Sequence, residues 1–496
     1  MDVRFRHWDL RLATLDPGVE AGAQRRSRLR LCWVLIAGMC SLLSGGPLLA
    51  SATAVRVDKI TVEGNRRTRD QFILRELDFK RGDTISLQEL SDRLEFNRLQ
   101  LMNTGLFIHV GMNIREWETA TNQISVDISV LETWYIYPIP IFELADRNFN
   151  VWWRDYDHSF RRVNYGVRLY HFNLTGRRDQ FKGVVQFGFT DKFEFQYTPP
   201  FIDRKQKLGL TTGLLFTRQR ELNYGTLDDQ QQFYRSEGGH LLQRLRASAG
   251  LSFRPHLRIY HQWLLEYHAN RISNEVLDEL NADFFLGRTH QRFFAFHYEF
   301  TVDRRDIRPF PLHGFLTSIG LQKEGFGLFG DVNALYLNGL YKQYLPLDRR
   351  WSTEWILGAR LGLIRNQQPF YNSRALGYGD DFIRGYEYYV IDGLDFVYLK
   401  SSLRWELLNK TYRLGKAMPL KALQRMPVKV YLSFNNDLGY ANNPFYAAGN
   451  DLPNQLLWGY GLGINFIVYY DKVFNLEVSR NRLGETGFYL HWATKF

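Results

Sequence analysis

The chain has 496 residues, 45% hydrophobic, 23% charged and 16% aromatic, which is too apolar and too aromatic for a disordered polypeptide. After residue 50 no run of about 18 uninterrupted apolar residues occurs, which excludes a bundle of membrane-spanning helices but leaves open a barrel of alternating strands. The net charge is +11, and the charges are interspersed without a long basic run, so no nucleic acid is expected as a partner.

Residues 1–54 read as an export signal. Arg25, Arg26, Arg28 and Arg30 precede an apolar run from Leu31 to Leu43, and Ala50-Ser51-Ala52-Thr53-Ala54 supplies an A-x-A cleavage pattern. The competing reading, a single anchoring helix, is disfavoured because the apolar run is short. Both cysteines, Cys32 and Cys40, fall in this segment. A processed chain would then have no thiol for a disulfide, a zinc–thiolate site or a nucleophile.

Residues 55–133 predict a small α/β module in the order β-α-α-β-β. Val57, Ile60 and Val62 form a strand that stops at Glu63-Gly64-Asn65, and Phe72, Ile73 and Leu77 mark a first helix. Gly82-Asp83 punctuates, and Ser86 is placed to cap a second helix with Leu87, Leu90, Leu94, Leu99 and Leu101 as its stripe. Strands follow Gly105-Leu106-Phe107 over 107–114 and 123–131, the second alternating Ile124, Val126, Ile128 and Val130. The ordered set resembles a POTRA domain, the periplasmic module of the BamA/TamA outer-membrane assembly superfamily. A free strand edge on such a sheet can add an extended client segment through backbone hydrogen bonds. The plainer alternative is a spacer domain.

Residues 134–496 divide into sixteen strand-plus-connection units of about 23 residues, suited to tilted membrane strands of about 9–11 residues plus loops. Tyr460, Leu462, Ile464, Phe466 and Val468 alternate with Gly459, Gly461, Gly463, Asn465 and Ile467, and Val428, Val430, Leu432 and Phe434 alternate with Lys429, Tyr431, Ser433 and Asn435. Short turns (173–179, 198–205, 254–256, 347–350, 471–472) alternate with long polar loops (222–238, 366–395, 440–458), and 408–426 reads as a long linker among the short set. The fold class expected is therefore a transmembrane antiparallel β-barrel of about 16 strands behind a small POTRA domain. The terminal strand 487–496 ends in Phe496, with Phe488, Leu490 and Trp492 on the same face. This ending resembles the assembly signal of bacterial outer-membrane barrels, although Thr494 replaces an aromatic often seen there.

The sharpest resemblance to the BamA/TamA superfamily lies in the loop 366–395. Ile383-Arg384-Gly385-Tyr386 matches the (V/I)-R-G-(F/Y) tip of the family's lumen loop. Tyr197-Thr198-Pro199-Pro200-Phe201, Asp303-Arg304-Arg305-Asp306 through Pro311 to Gly314, and Asp437-x-Gly439 are further matches, with Asn435 where the family's strand motif has Phe. Independently of the resemblance, an arginine entering a confined lumen needs partners, and its fork suits carboxylates. Glu406 and Asp437 both face inward by strand parity, so the expected latch is Arg384 tied to Glu406 and Asp437, with Ile383, Gly385, Tyr386 and Gly439 around it. A lateral seam is expected between the first strand, 134–143, and the last. Pro138 and Pro140 there lack N–H donors on one side. Trp492 and Phe496 lie on the closing strand.

No G-x-S-x-G or H-E-x-x-H motif occurs after the signal, so no enzyme, cofactor or metal site is expected. The resemblance implies a protein of the Gram-negative outer membrane that inserts barrel proteins or translocates a client. Its partners would be unfolded outer-membrane or secreted chains, outer-membrane lipids and lipopolysaccharide, and periplasmic or lipoprotein partners. The alternative class is a passive porin-like channel or structural barrel.

Overall fold

The computed structural model describes residues 54–144, 157–236, 238–379, 381–415, 424–469 and 472–494. The expected export signal, nearly all of it, and Phe496 lie outside them.

The N-terminal module contains β1 (Ala54–Glu63), α1 (Asp70–Arg75), β2 (Thr84–Ser86), α2 (Leu87–Met102), β3 (Phe107–Glu118) and β4 (Gln123–Glu132). Its sheet order is β2-β1-β4-β3, with β1 parallel to β4. Ile124, Val126, Ile128 and Val130 all face the core, where Phe72, Ile73, Leu90 and Leu101 cover them. The three-residue edge strand β2 is an addition to the expected order. It is too short to leave a periodicity in sequence. Ser86 occupies the N-cap of α2, but its hydroxyl makes no capping hydrogen bond.

The barrel begins with β5 (Ile136–Leu144), β6 (Val163–His171), β7 (Gln180–Gly188), β8 (Thr190–Thr198) and β9 (Leu208–Gln219). A hairpin of β10 (Glu221–Leu227) and β11 (Gln230–Arg235) occupies most of the long polar loop 222–238. There follow β12 (Leu242–His256), β13 (Ile259–Ile272), β14 (His290–Asp303), β15 (Gly314–Glu324), β16 (Ala334–Pro346) and β17 (Trp351–Gly362). The long loop after β17 contains the short strands β18 (Arg374–Leu376) and β19 (Ile391–Asp392). The wall is completed by β20 (Asp395–Arg413), β21 (Arg425–Asn442), β22 (Leu457–Val468), β23 (Lys472–Asn481) and β24 (Thr486–Thr494). Much of the supposed linker 408–426 is therefore strand. The ladder continues from Leu408↔Val430 to Arg413↔Arg425, because backbone pairing holds a projecting hairpin together whatever its side chains bury.

Sixteen antiparallel strands form one sheet. Tyr460, Leu462 and Ile464 are exposed on its outer face, while Gly463, Asn465 and Ser433 face inward. This is the apolar-out, polar-in alternation of a membrane barrel.

The POTRA module is docked on the turns of the first half of the barrel. The Arg69 backbone N–H donates to the Gly176 carbonyl at 2.9 Å, and Asn173 donates to Thr68 Oγ1 at 3.0 Å. Phe201, from the Tyr-Thr-Pro-Pro-Phe turn, is buried in the module's own core. Asn103, at the end of α2, donates to the Asp306 carbonyl at 3.0 Å. That turn, 304–313, is folded on an ion pair of Asp303 with Arg305 (2.8 Å) and Arg308 (3.1 Å). It reaches into the barrel, where Phe310 packs 5.0 Å from Tyr431 and Arg404 donates to the Pro311 carbonyl at 3.1 Å. A cavity of about 240 Å³ remains between Leu99, Met102 and Ile108 of the module and Phe310, Leu312 and Tyr431.

The strongest link is Glu76 with Arg254, 2.7 Å apart and both largely buried. Burial alone would raise the Glu76 carboxyl, but the guanidinium groups of Arg254, Arg75 and Arg178 together outweigh it and hold the group below the usual carboxylate range. A depressed carboxylate contributes stability that is present above its ordinary range and lost as pH falls through its folded value. Docking should therefore be complete at neutral pH and loosen under acid. Arg254→Ala removes the hydrogen-bonded partner of a buried carboxylate and leaves it only the longer contact to Arg75 at 3.9 Å, at a cost of up to about 3 kcal/mol. Hydrogen exchange at Arg69, whose N–H bonds the Gly176 carbonyl across the interface, should speed up in that variant at pH 7, and unchanged exchange would show that the docking does not rely on this pair.

Candidate functional site

The loop 363–394 returns into the lumen. Its base is a two-strand clasp, Arg374↔Asp392 and Leu376↔Ile391. Inside, Ile383 and Tyr386 are buried with Phe396, Tyr398 and Leu457. Tyr398 donates to Asp381 at 2.9 Å. Gly385 turns the tip with φ +84°, a conformation that costs an L side chain strain. Gly439 gives Ile383 its space, since a Cβ there would meet the Ile383 side chain at 2.6 Å.

Arg384 sits at the centre. Its Nη1 donates to Asp437 Oδ1 at 2.8 Å, and its backbone N–H donates to Asp437 Oδ2 at 3.1 Å. Its Nε lies 3.3 Å from Glu477 Oε2. The Arg384 side chain is 13% exposed and both carboxylates are 0% exposed. Lys400 stands directly across the β20–β21 ladder from Asp437 and places its ammonium 3.7 Å above the Phe382 ring. Two cations thus face two acids, as a buried ionic cluster requires.

Glu406 is a correction to the expected latch. It accepts instead from the Tyr431 hydroxyl at 2.8 Å. Its parity is right but its height is wrong. In register Lys400 faces Asp437, while Glu406 faces Tyr431, six residues nearer the periplasm. At about 3.3 Å per residue that is roughly 20 Å. Glu477 takes its place, and its alternation with Leu476 and Val478 was the available signal.

The loop also grips the last strands, through residues that sequence reading did not single out. Asn481 donates to the Gly385 carbonyl at 2.9 Å, and the Tyr389 hydroxyl donates to Glu485 at 2.8 Å. On β24, Tyr489 packs 5.5 Å from Tyr388, and His491 stacks on Phe382 and lies 3.6 Å from Glu387. The Tyr386 hydroxyl donates to the Trp458 carbonyl at 3.3 Å.

The sheet order runs from β24 at one edge to β5 at the other, and among the described residues no ladder joins them. β5 pairs with β6 continuously from Ile136↔His171 to Leu144↔Val163, running past Pro138 and Pro140. The missing N–H groups therefore belong to the free edge. Trp492 pairs by its backbone with Phe474, while its side chain, like Phe496, is outside the described structure. In the POTRA sheet the free edges are β2, of three residues, and β3, of twelve.

A sixteen-stranded outer-membrane barrel with a lumen loop and one POTRA module defines a class. A family model described as "Omp85 superfamily domain" matches residues 173–467, and a POTRA model described as "Surface antigen variable number repeat" matches residues 55–133. The chain belongs to the Omp85 superfamily. Comparison with curated proteins found no significant match. Among solved structures it is similar to CdiB from Escherichia coli, at 12% identity over 89% of this chain and 74% of that one, with a TM-score of 0.52. It is also similar to BamA from Haemophilus ducreyi lacking POTRA domains 1–3, at 14% identity over 88% and 83% of the two chains, with a TM-score of 0.47. The chain is thus an outer-membrane barrel with a periplasmic POTRA domain, of a superfamily whose members insert or translocate proteins.

Removing either acid of the cluster leaves Arg384 under-compensated in a buried site, which should loosen the loop by about 3 kcal/mol or more. Asp437→Asn and Glu477→Gln should each make the segment 377–389 sensitive to limited proteolysis from the outer side. Glu406→Gln should leave it resistant. Equal sensitivity in all three would place the loop's anchorage elsewhere.

Proposed function

We propose that this protein uses the unpaired edges of β5 and β24 as a lateral seam, through which it inserts β-barrel clients into the outer membrane or passes a client across it. The observation that carries this reading is the strand order, which ends at β5 and β24. An unpaired edge is a template for another strand. The two prolines weaken its closure from one side, and the lumen loop holds β24 from within through Tyr388, Glu387 and Phe382. Arg384 is the brace of that loop and takes part in no bond-making step. On this reading the chain needs no catalytic site of its own.

The POTRA edge β3 would receive an extended client or a periplasmic partner before the seam does. Lipids of the outer leaflet, lipopolysaccharide among them, would border the seam.

The test combines a lock and a latch mutant in proteoliposomes. Ile139→Cys with Leu490→Cys, joined by a bis-maleimide linker, should abolish acceleration of folding of an unfolded outer-membrane barrel, or release of a secreted client. Arg384→Ala should reduce either activity about tenfold or more. Full activity in the linked protein would overturn the seam. Steady ion conductance with no client effect in any form would favour a passive channel.

A further inference from the structure

The outer wall opposite the seam carries a patch that neither the latch nor the seam uses. The outer loop between β15 and β16 reads Gly325-Phe326-Gly327-Leu328-Phe329-Gly330-Asp331. Phe326, Leu328 and Phe329 are exposed, Leu328 by 71%. The loop does not stand up into water. Phe329 lies 6.1 Å from Phe294 and 6.2 Å from Tyr267. Those two residues pair across β13 and β14, one step above the Leu265↔Phe296 pair, and Leu265 is exposed on the lipid-facing side. The loop therefore folds outward over the wall at the outer rim and turns Phe326 and Leu328 towards the membrane.

Cations frame this apolar lip. The Arg292 guanidinium lies 5.2 Å over the Phe329 ring, and the Lys323 ammonium 5.8 Å from the Phe326 ring. Arg271 lies one same-face step above the Ala269↔Arg292 pair, opposite His290. Lys323 is opposite Phe296 in register, on the same outward face. Asp331 is occupied by Arg288 and by the Arg292 backbone N–H. Among the described residues no carboxylate pairs with Arg271, Arg292 or Lys323. Lys323 donates only to neutral acceptors, Asn333 Oδ1 at 2.7 Å and the Glu324 carbonyl at 3.1 Å, and cations on the lipid face that no carboxylate neutralises call for anions at the same height. Arginine forks match phosphate oxygens, and the exposed aromatics match acyl chains beside them.

We propose that this rim patch is a binding site for a phosphorylated, multiply acylated lipid of the outer leaflet. Phosphates sit on Arg271, Arg292 and Lys323, and acyl chains lie against Phe326 and Leu328. β13, β14 and β15 are the seventh to ninth of the sixteen strands counted from β5, so the site is diametrically opposite the β5/β24 edges. It pins the fixed wall while the seam side stays free. The proposal rests on the outer-membrane placement and is independent of the choice between insertion and translocation.

The test uses the full processed chain in non-ionic detergent, with three probes: lipid A bearing both phosphates, its phosphate-free counterpart, and inorganic phosphate. Lipid A should bind and raise the melting temperature, while the other two bind at least tenfold more weakly. Arg292→Gln with Lys323→Gln should weaken lipid A binding about tenfold or more, and Phe326→Ser with Leu328→Ser several-fold. Arg480→Gln, an outward cation at the outer end of β23, should change it less than twofold. Equal binding of the phosphate-free lipid, or an equal loss in Arg480→Gln, overturns the site. Folding into vesicles, read by heat-modifiable mobility, separates the outcomes. A chain that inserts yet ignores lipid A sinks this proposal alone, and one that never inserts sinks the membrane placement.

Discussion

In hydrocarbon every backbone N–H and C=O needs a partner within the protein, and that constraint organises this molecule. A sheet can meet it fully only by closing on itself. Here fifteen consecutive ladders are made and the sixteenth is not among those described. The two edges are left in different ways. β5 carries Pro138 and Pro140, which remove donors permanently. β24 has no proline from Thr486 to Thr494, so its edge keeps its donors. An incoming strand thus finds one good edge and one poor one.

The lumen loop supplies from inside what the missing ladder does not. Its tip joins a buried cation to two fully enclosed carboxylates, an arrangement that is stable only when every member is present. From that anchor the chain continues through Glu387, Tyr388 and Tyr389 onto β23, β24 and the turn between them. Beyond its ladder to β23, β24 is thereby held by side chains from the lumen loop, where its free edge has no neighbouring strand among the described residues. Side-chain contacts can be exchanged singly, whereas a ladder opens along its length.

Much of this was legible in the chain itself. Alternations such as Tyr460, Leu462 and Ile464 announce a wall with a wet and a greasy face, and the Ile-Arg-Gly-Tyr tip announces a loop that needs acidic partners. The limits were equally physical. Parity tells which face a residue takes but not how high it stands, so Glu406 and Glu477 were indistinguishable until the register was known. The strand β2 is shorter than one period of its own pattern. The docking of the POTRA module was hidden because it depends on turns. Phe201 looks like a turn residue in sequence and is a core residue of another domain in space.

The turn 304–313 is held at both ends. Asn103 of α2 grips it below, and Arg404 and Tyr431 receive it within the barrel. It springs from β14 and β15 but ends against β20 and β21. A shift of the periplasmic module can therefore travel along a chord across the lumen, bypassing the arc of intervening strands. Mechanically the barrel is a braced ring. A small tilt of α2 is delivered directly to the side of the ring that the lumen loop holds, and the ring need not deform around its circumference for the two to communicate.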